Sequence, residues 1–214
     1  MLVMTVKWLL PRYEGDKDFP SPYDRDGKVT SSDVCLLNIG CGQKPFKGFR
    51  NLDSLDIPGI DYPKKDARDL SFLPEEMFSY IYACHVLEHI PRSDTFKTIC
   101  EWYRVLKFGG MIRISVPDWD ATVMYYQRTH DLENCLNWIY GGREKEVLDE
   151  FTHRRIFNLV NIRALLYEAG FKRIELYDPR ETFHGNIDDF SFAHRPHMDF
   201  DNGIAMSLNV QAVK

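Results

Sequence analysis

The 214-residue sequence has no excess of basic charge, no paired-cysteine motif and no long apolar run, and each absence excludes a class of protein. Lys and Arg number 27 against 32 Asp and Glu, a net charge of −5, which argues against nucleic acid held through a basic surface. The five cysteines, Cys35, Cys41, Cys84, Cys100 and Cys135, are odd in number and form no C-x-x-C pair. They read as reduced core thiols of a cytoplasmic protein. The opening MLVMTVKWLL is apolar for ten residues only and carries a lysine. That is too short for a membrane span, and no small-residue cleavage site follows it. There is no internal repeat and no low-complexity tract. What is present is a sizeable core: Leu, Ile, Val and Phe make up 59 of the 214 residues, well above the roughly 20% below which a chain cannot fold around apolar surface.

Residues 1–33 are rich in proline and charge from position 11 onward and read as an irregular N-terminal arm, with one folded domain over 34–214. VCLLNI, ending in Gly40, reads as a buried strand, as do SYIYAC and MIRISVPD. Between the last two, Phe96, Ile99, Cys100, Tyr103 and Leu106 recur at helical spacing, with Pro91, Ser93 or Asp94 as start and Gly109-Gly110 as stop. A later helix carries Leu159, Ile162, Leu165, Leu166 and Ala169, with Asn158 or Asn161 as cap and Gly170 beyond its end. Strand-like FKRIELYD and AMSLNVQAV follow, separated by a polar loop over 179–203. The order of strands and helices predicts a mostly parallel α/β sheet.

Four segments carry chemistry. Gly40 and Gly42, flanking Cys41, suit a tight turn with positive φ at the carboxyl edge of the sheet, where a ligand can approach the backbone. Asp53, followed by Ser54, ends the strand FRNLD and can accept both hydroxyls of a ribose. Only six residues, 43–48, separate the two; at about 3.3 Å each they span roughly 20 Å, enough to run back along a strand but not to hold a helix. A dinucleotide's pyrophosphate needs that helix, and Pro45 stands where the third glycine of G-x-G-x-x-G would be. A ribose and adenine without phosphate therefore suits the site better. Asp66, Ala67 and Arg68 follow a short possible third strand, as adenine contacts or as the cap of a turn. Cys84 and His85, with His89 one helical turn on, leave the strand SYIYAC above the same edge; His85 and His89 as a metal pair lack a third ligand at a matching spacing.

LLNIGCGQKP, NLD, DARDLSF, SYIYACHVLEHI, EWYRVLKFGGMIRISVPD and EAGF…SLNVQAVK resemble class I S-adenosylmethionine-dependent methyltransferases, and within them a small methyltransferase-11-like group associated with glycan biosynthesis. The resemblance covers roughly 34–214; Ser79 departs from it, standing where related sequences usually have an acidic residue. It implies a Rossmann-like, mostly parallel seven-stranded sheet with helices on both faces, an antiparallel C-terminal strand and a first crossover helix short or absent. It implies S-adenosylmethionine as cofactor, with Gly40, Cys41 and Gly42 beside its methionine part, Asp53 and Ser54 at the ribose, Asp66, Ala67 and Arg68 at the adenine, and Cys84 and His85 lining the pocket. The acceptor it suggests is a small molecule or glycan, through a hydroxyl.

In-line methyl transfer to a hydroxyl needs alignment and a base. His153, which resembles a histidine that the family carries after its Tyr140-Gly141-Gly142 segment, is the first candidate or else caps the following helix, with His89 and Asp118 beside it and Tyr140 and His184 on the substrate side. The tail-loop residues His184, Asp188, Asp189, His194, His197 and Asp199 have no diagnostic ligand spacing, so no metal is assigned. Phe183, Phe190 and Phe192 fold that loop down as a lid or sit in the core. A non-catalytic methyltransferase-like binding subunit is the competing reading. The front segment can cover the cofactor, pair with another subunit, a homodimer included, or stay without fixed structure.

Overall fold

The computed structural model describes residues 35–141, 152–185 and 188–214; the expected arm over 1–33 and Gly142 lie outside them. The strands are β1 (Leu36–Ile39), β2 (Arg50–Leu52), β3 (Phe78–Cys84), β4 (Leu106–Pro117), β5 (Lys172–Leu176), β6 (His194–Arg195), β7 (Ile204–Ala205) and β8 (Ser207–Val213). Six of them form one sheet in the order β2-β1-β3-β4-β8-β5, and β6 and β7 pair separately. β1 to β4 are parallel to one another, whereas β8 runs antiparallel to both β4 and β5.

The main sheet has six strands where seven were expected. The missing edge strand is a single parallel bridge between Leu52 and Tyr62. Pro58, Gly59 and Pro63 surround it, and proline cannot donate to a ladder. Asp61 also takes a ladder donor for itself, its Oδ2 accepting the Asn51 N–H at 2.9 Å.

Among the described residues the α-helices between the strands are α1 (Arg92–Val105), α2 (Trp119–Thr129), α3 (Leu132–Tyr140) and α4 (Leu159–Glu168). Strand residues of one parity, among them Leu37, Ile39, Ile81, Ala83, Ile112, Ile114 and Val210, bury against Ile99 and Trp102 of α1 and Ile162 and Leu166 of α4. The opposite parity gives Leu36, Tyr80, Tyr82 and Met111, which pack with Phe46, Phe49 and the partly buried Phe183. This second face is thus sealed by loop aromatics, together with the 3-10 turn Phe190–Phe192, whose Phe190 and Ser191 carbonyls accept from Ser207 and Asn209 of β8. The α-helices expected on both faces lie unequally, with α1 and α4 both on the first.

α1 buries Thr95, Thr98, Ile99, Trp102 and Val105, a face turned by about one residue from the expected one. Thr95 and Thr98 return their hydroxyls to the carbonyls of Pro91 and Asp94, each at 3.0 Å, so they bury at little cost. Trp102 brings the largest apolar surface and gives its indole N–H to the Ala67 carbonyl at 2.9 Å. The helix ends where Leu106 turns extended, and the Gly109-Gly110 pair lies inside β4. α4 starts with both expected asparagines acting together as a reciprocal cap. α2 and α3 carry no reading in the sequence; they begin on Asp118 and Asp131, each capping with its carboxylate.

The first crossover is a loop, as its length dictates. Asn51 clasps it: Oδ1 accepts from Phe46 N at 2.8 Å and from Asn38 Nδ2 at 3.1 Å, while Nδ2 donates to the carbonyls of Phe46 and Phe49, each at 3.0 Å. Every one of these groups is buried, so Asn51→Ala leaves several polar atoms unsatisfied together. Denaturant unfolding of that variant is expected to show a loss of about 3 kcal/mol; a loss within experimental error of zero would remove the clasp from the account.

Candidate functional site

The carboxyl ends of β1, β2 and β3 converge on the glycine turn. Gly40 and Gly42 have φ of +69° and +52°, left-handed values that disfavour any side chain. At Gly40 a Cβ would meet Val86 Cγ2 at 2.3 Å, whereas Gly42 has nothing within 4 Å of that position. The turn is therefore pressed against the segment leaving β3 on one side and open on the other. Asp53 fixes it: Oδ2 accepts the Gly42 N–H at 2.7 Å and Oδ1 the Leu55 N–H at 2.9 Å. Each carboxylate oxygen keeps a lone pair for a further donor, so the residue both shapes the turn and retains capacity for a ribose. Ser54 beside it is exposed. Cys41 is buried, and burial pushes its thiol up to about 11, so it lines the turn as an inert neighbour.

Asp66 is engaged locally. Its carboxylate accepts the backbone N–H of Arg68 at 2.8 Å and grips the guanidinium through both oxygens; the Arg68 hydrogen bond holds the carboxyl below its ordinary range. Ala67 is packed against the core.

Beyond Cys84, whose thiol burial pushes far up, the chain turns at His85 in a left-handed conformation (φ +54°) into the 3-10 turn Leu87–His89. Ser207 donates to the Phe190 carbonyl at 2.6 Å, so the 2.7 Å contact between His85 Nε2 and Ser207 Oγ has the ring donating. His85 Nδ1 then faces Glu88 Oε1 at 3.1 Å. The 65%-exposed Phe190 lies beside it, ring centroids 5.2 Å apart.

His89 and His153 meet, ring centroids 5.0 Å apart, although 64 positions separate them. The segment from 153 is tied down by backbone: His153 N donates to the Tyr140 carbonyl at 2.8 Å, and Arg154 N and Arg155 N both donate to the Glu88 carbonyl, at 2.8 and 3.2 Å. His153 Nδ1 donates to the Trp138 carbonyl at 3.0 Å, leaving Nε2 as the basic nitrogen. Burial holds this ring below the usual histidine range, so it is neutral at pH 7. Glu88, which drew no role in the sequence, is the group they surround. Burial alone would raise its carboxyl, but the three imidazoles, His85 foremost, together outweigh burial and keep it below its ordinary value.

Asp118 is used differently, capping α2 through the Asp120 N–H at 3.0 Å, with burial pushing its carboxyl up to about 6. Tyr140 is exposed at the end of α3. His184 must be reassigned from the substrate side. Only 6% exposed, it lies among Phe46, Phe49, Tyr82 and Phe183 on the second sheet face, with Nε2 2.8 Å from the Tyr80 hydroxyl. Asp189 accepts from the Tyr82 hydroxyl at 2.7 Å, and the Asp188 carbonyl from Lys44 at 2.7 Å, so these tail-loop residues anchor the loop. Phe192 is buried.

Comparison with known proteins agrees with this geometry. Residues 42–114 match the family model described as a methyltransferase domain. No curated protein matches the chain. Among solved structures it is similar to a SAM-dependent methyltransferase from Archaeoglobus fulgidus (14% identity, 86% of this chain and 87% of that one, TM-score 0.55). It is also similar to one described as a possible histamine N-methyltransferase from Thermotoga maritima (16%, 86% and 84%, 0.53), and to an S-adenosylmethionine-dependent methyltransferase from Mesorhizobium loti (19%, 85% and 91%, 0.52). The fold is that of the Rossmann-like methyltransferases, and the family model covers about a third of the chain, from the glycine turn into β4.

Burial holds the His184 imidazole near 3 instead of its ordinary 6.5. Between those values the unfolded chain binds the extra proton, so stability present above pH 6.5 is lost as the pH falls. From pH 6 to 5 the wild type is expected to lose up to about 1.4 kcal/mol more than His184→Phe, read by denaturant unfolding at each pH. Parallel pH profiles would contradict the buried neutral ring.

Proposed function

We propose that this protein transfers a methyl group to the hydroxyl of a small-molecule or glycan acceptor, in a cytoplasmic setting. The observation that carries the reading is the His89–Glu88–His153 group standing beside the glycine turn, which Val86 presses against Gly40. The cofactor's chemistry is an activated methyl on a sulfonium, displaced in line. The cradle fits it: Gly40, Cys41 and Gly42 hold the methionine part by backbone, and Asp53 takes the ribose hydroxyls with its remaining lone pairs while Ser54 lies alongside. Ala67 and Asp66 border the adenine, with Arg68 holding the Asp66 carboxylate in place. Cys84 and His85 wall the pocket.

On the acceptor side the exposed Phe190 and Tyr140 offer flat apolar faces of the kind that sugars and small rings stack on. The acceptor's proton leaves to His153 Nε2, which has a free lone pair and is neutral. Glu88 stabilises the imidazolium that results, a carboxylate and a histidine acting as a pair. Asp118, whose carboxyl burial pushes up to about 6, is a second proton-accepting group close to physiological pH. No described helix is long and apolar enough to cross a membrane, and the acidic net charge favours a neutral or cationic acceptor over nucleic acid.

Incubation with methyl-labelled S-adenosylmethionine and fractionated cell extract is expected to label a glycan or small-molecule fraction, with turnover at least a hundredfold lower in His153→Ala. Label entering only protein or RNA would overturn the acceptor class. Unchanged turnover in the variant would remove His153 from the reaction, and cofactor binding with no labelled fraction would favour a non-catalytic binding subunit.

A further inference from the structure

Glu88 is 1% exposed, and beyond the 3.1 Å contact of His85 Nδ1 with Oε1 its carboxylate meets no donor among the described residues. A buried carboxylate with one imidazole contact and three or more acceptor sites unfilled is costly unless a cation compensates it. The buried Nδ1 of His89 likewise lacks a partner, and His153 has its Nε2 lone pair left over. Ligand atoms of Glu88, His89 and His153 all lie within 4.8 Å of one another.

We propose that Glu88, His89 and His153 form a binding site for a divalent first-row transition cation of the zinc type. Two imidazoles and one carboxylate are the donor set such ions take, with an open position for a further ligand. Donors on a tetrahedral ion at about 2.1 Å sit roughly 3.4 Å apart, so side-chain shifts on the order of 1 Å close the site. The surroundings are those of a metal centre. The Trp138 carbonyl fixes the His153 tautomer with Nε2 free, as a ligating histidine requires. His85, held by Ser207, contacts the Glu88 carboxylate from the other side. Two backbone hydrogen bonds to the Glu88 carbonyl hold the segment bearing His153 in register with the turn bearing His89, so the donors converge before any ion arrives. Tail-loop histidines and aspartates form no such group among the described residues.

The assignment stands on this geometry and not on the methyl-transfer reading. If both hold, the cation takes the lone pair of His153 and itself favours ionisation of the acceptor hydroxyl.

The test is titration of the full-length chain, free of any histidine tag and stripped of metal, with Co2+, read by the visible d–d absorption of a low-coordinate site and by competition with Zn2+. One equivalent is expected to bind. His153→Ala and Glu88→Gln are expected to weaken binding at least tenfold, while the exposed-site control His130→Asn leaves it unchanged, circular dichroism confirming that each variant is folded. Absence of stoichiometric binding by the wild type, or equal binding by folded His153→Ala, would overturn the site. Neither result depends on turnover, so a wrong acceptor and a wrong metal site are told apart.

Discussion

The structure depends on how short the connection between β1 and β2 is. Ten residues, 40–49, join the two strands and the glycine turn takes 40–42, so no crossover helix forms there and the surface that such a helix would cover must be closed in another way. The Asn51 side chain does the polar half of that work by meeting the backbone of the connection directly. Phe46 and Phe49 do the apolar half. Phe46 stacks on Tyr82, and Phe49 stacks on Phe183 of the distant tail loop. The tail loop is thereby recruited to the face that the helix would have filled, and His184 goes into the core with it.

The same economy shapes the ligand site. Without a helix N-terminus there is no ready cradle for a pyrophosphate, and what remains at the strand ends is a glycine turn braced by Asp53. Because Val86 packs against Gly40, the turn that would hold the cofactor and the turn that carries Glu88 and His89 are a single packed unit. A buried carboxylate ringed by imidazoles stands two residues beyond Val86, and the low local dielectric strengthens whatever charge it balances.

Much of this was legible in the sequence, for reasons that differ by element. The buried strands announce themselves as short apolar runs ending at turn residues, and the missing crossover helix follows from counting residues 43–48. The α1 face was misplaced by about one residue because threonines look polar in a pattern, yet Thr95 and Thr98 satisfy themselves on their own helix. The seventh strand was implied by the resemblance; before Asp66 only Leu52 and Tyr62 bridge, because Asp61 competes for the ladder, which no sequence pattern reveals. His85 and His89 stood out by spacing. Glu88 between them did not, since a glutamate in a polar turn is ordinarily solvated; the segment that covers it, with His153, arrives from 65 positions away and is invisible to any local pattern. His184 drew attention by its company of aspartates and proved to be an aromatic filler.

The central claim is that the strand ends hold a nucleoside carrying no pyrophosphate. Calorimetry of the full chain against S-adenosylmethionine, its demethylated product and NAD tests it most directly. Saturable one-site binding of the first two, with none detectable for NAD, is the result this account predicts; binding of NAD alone, or of no nucleoside at all, would contradict it.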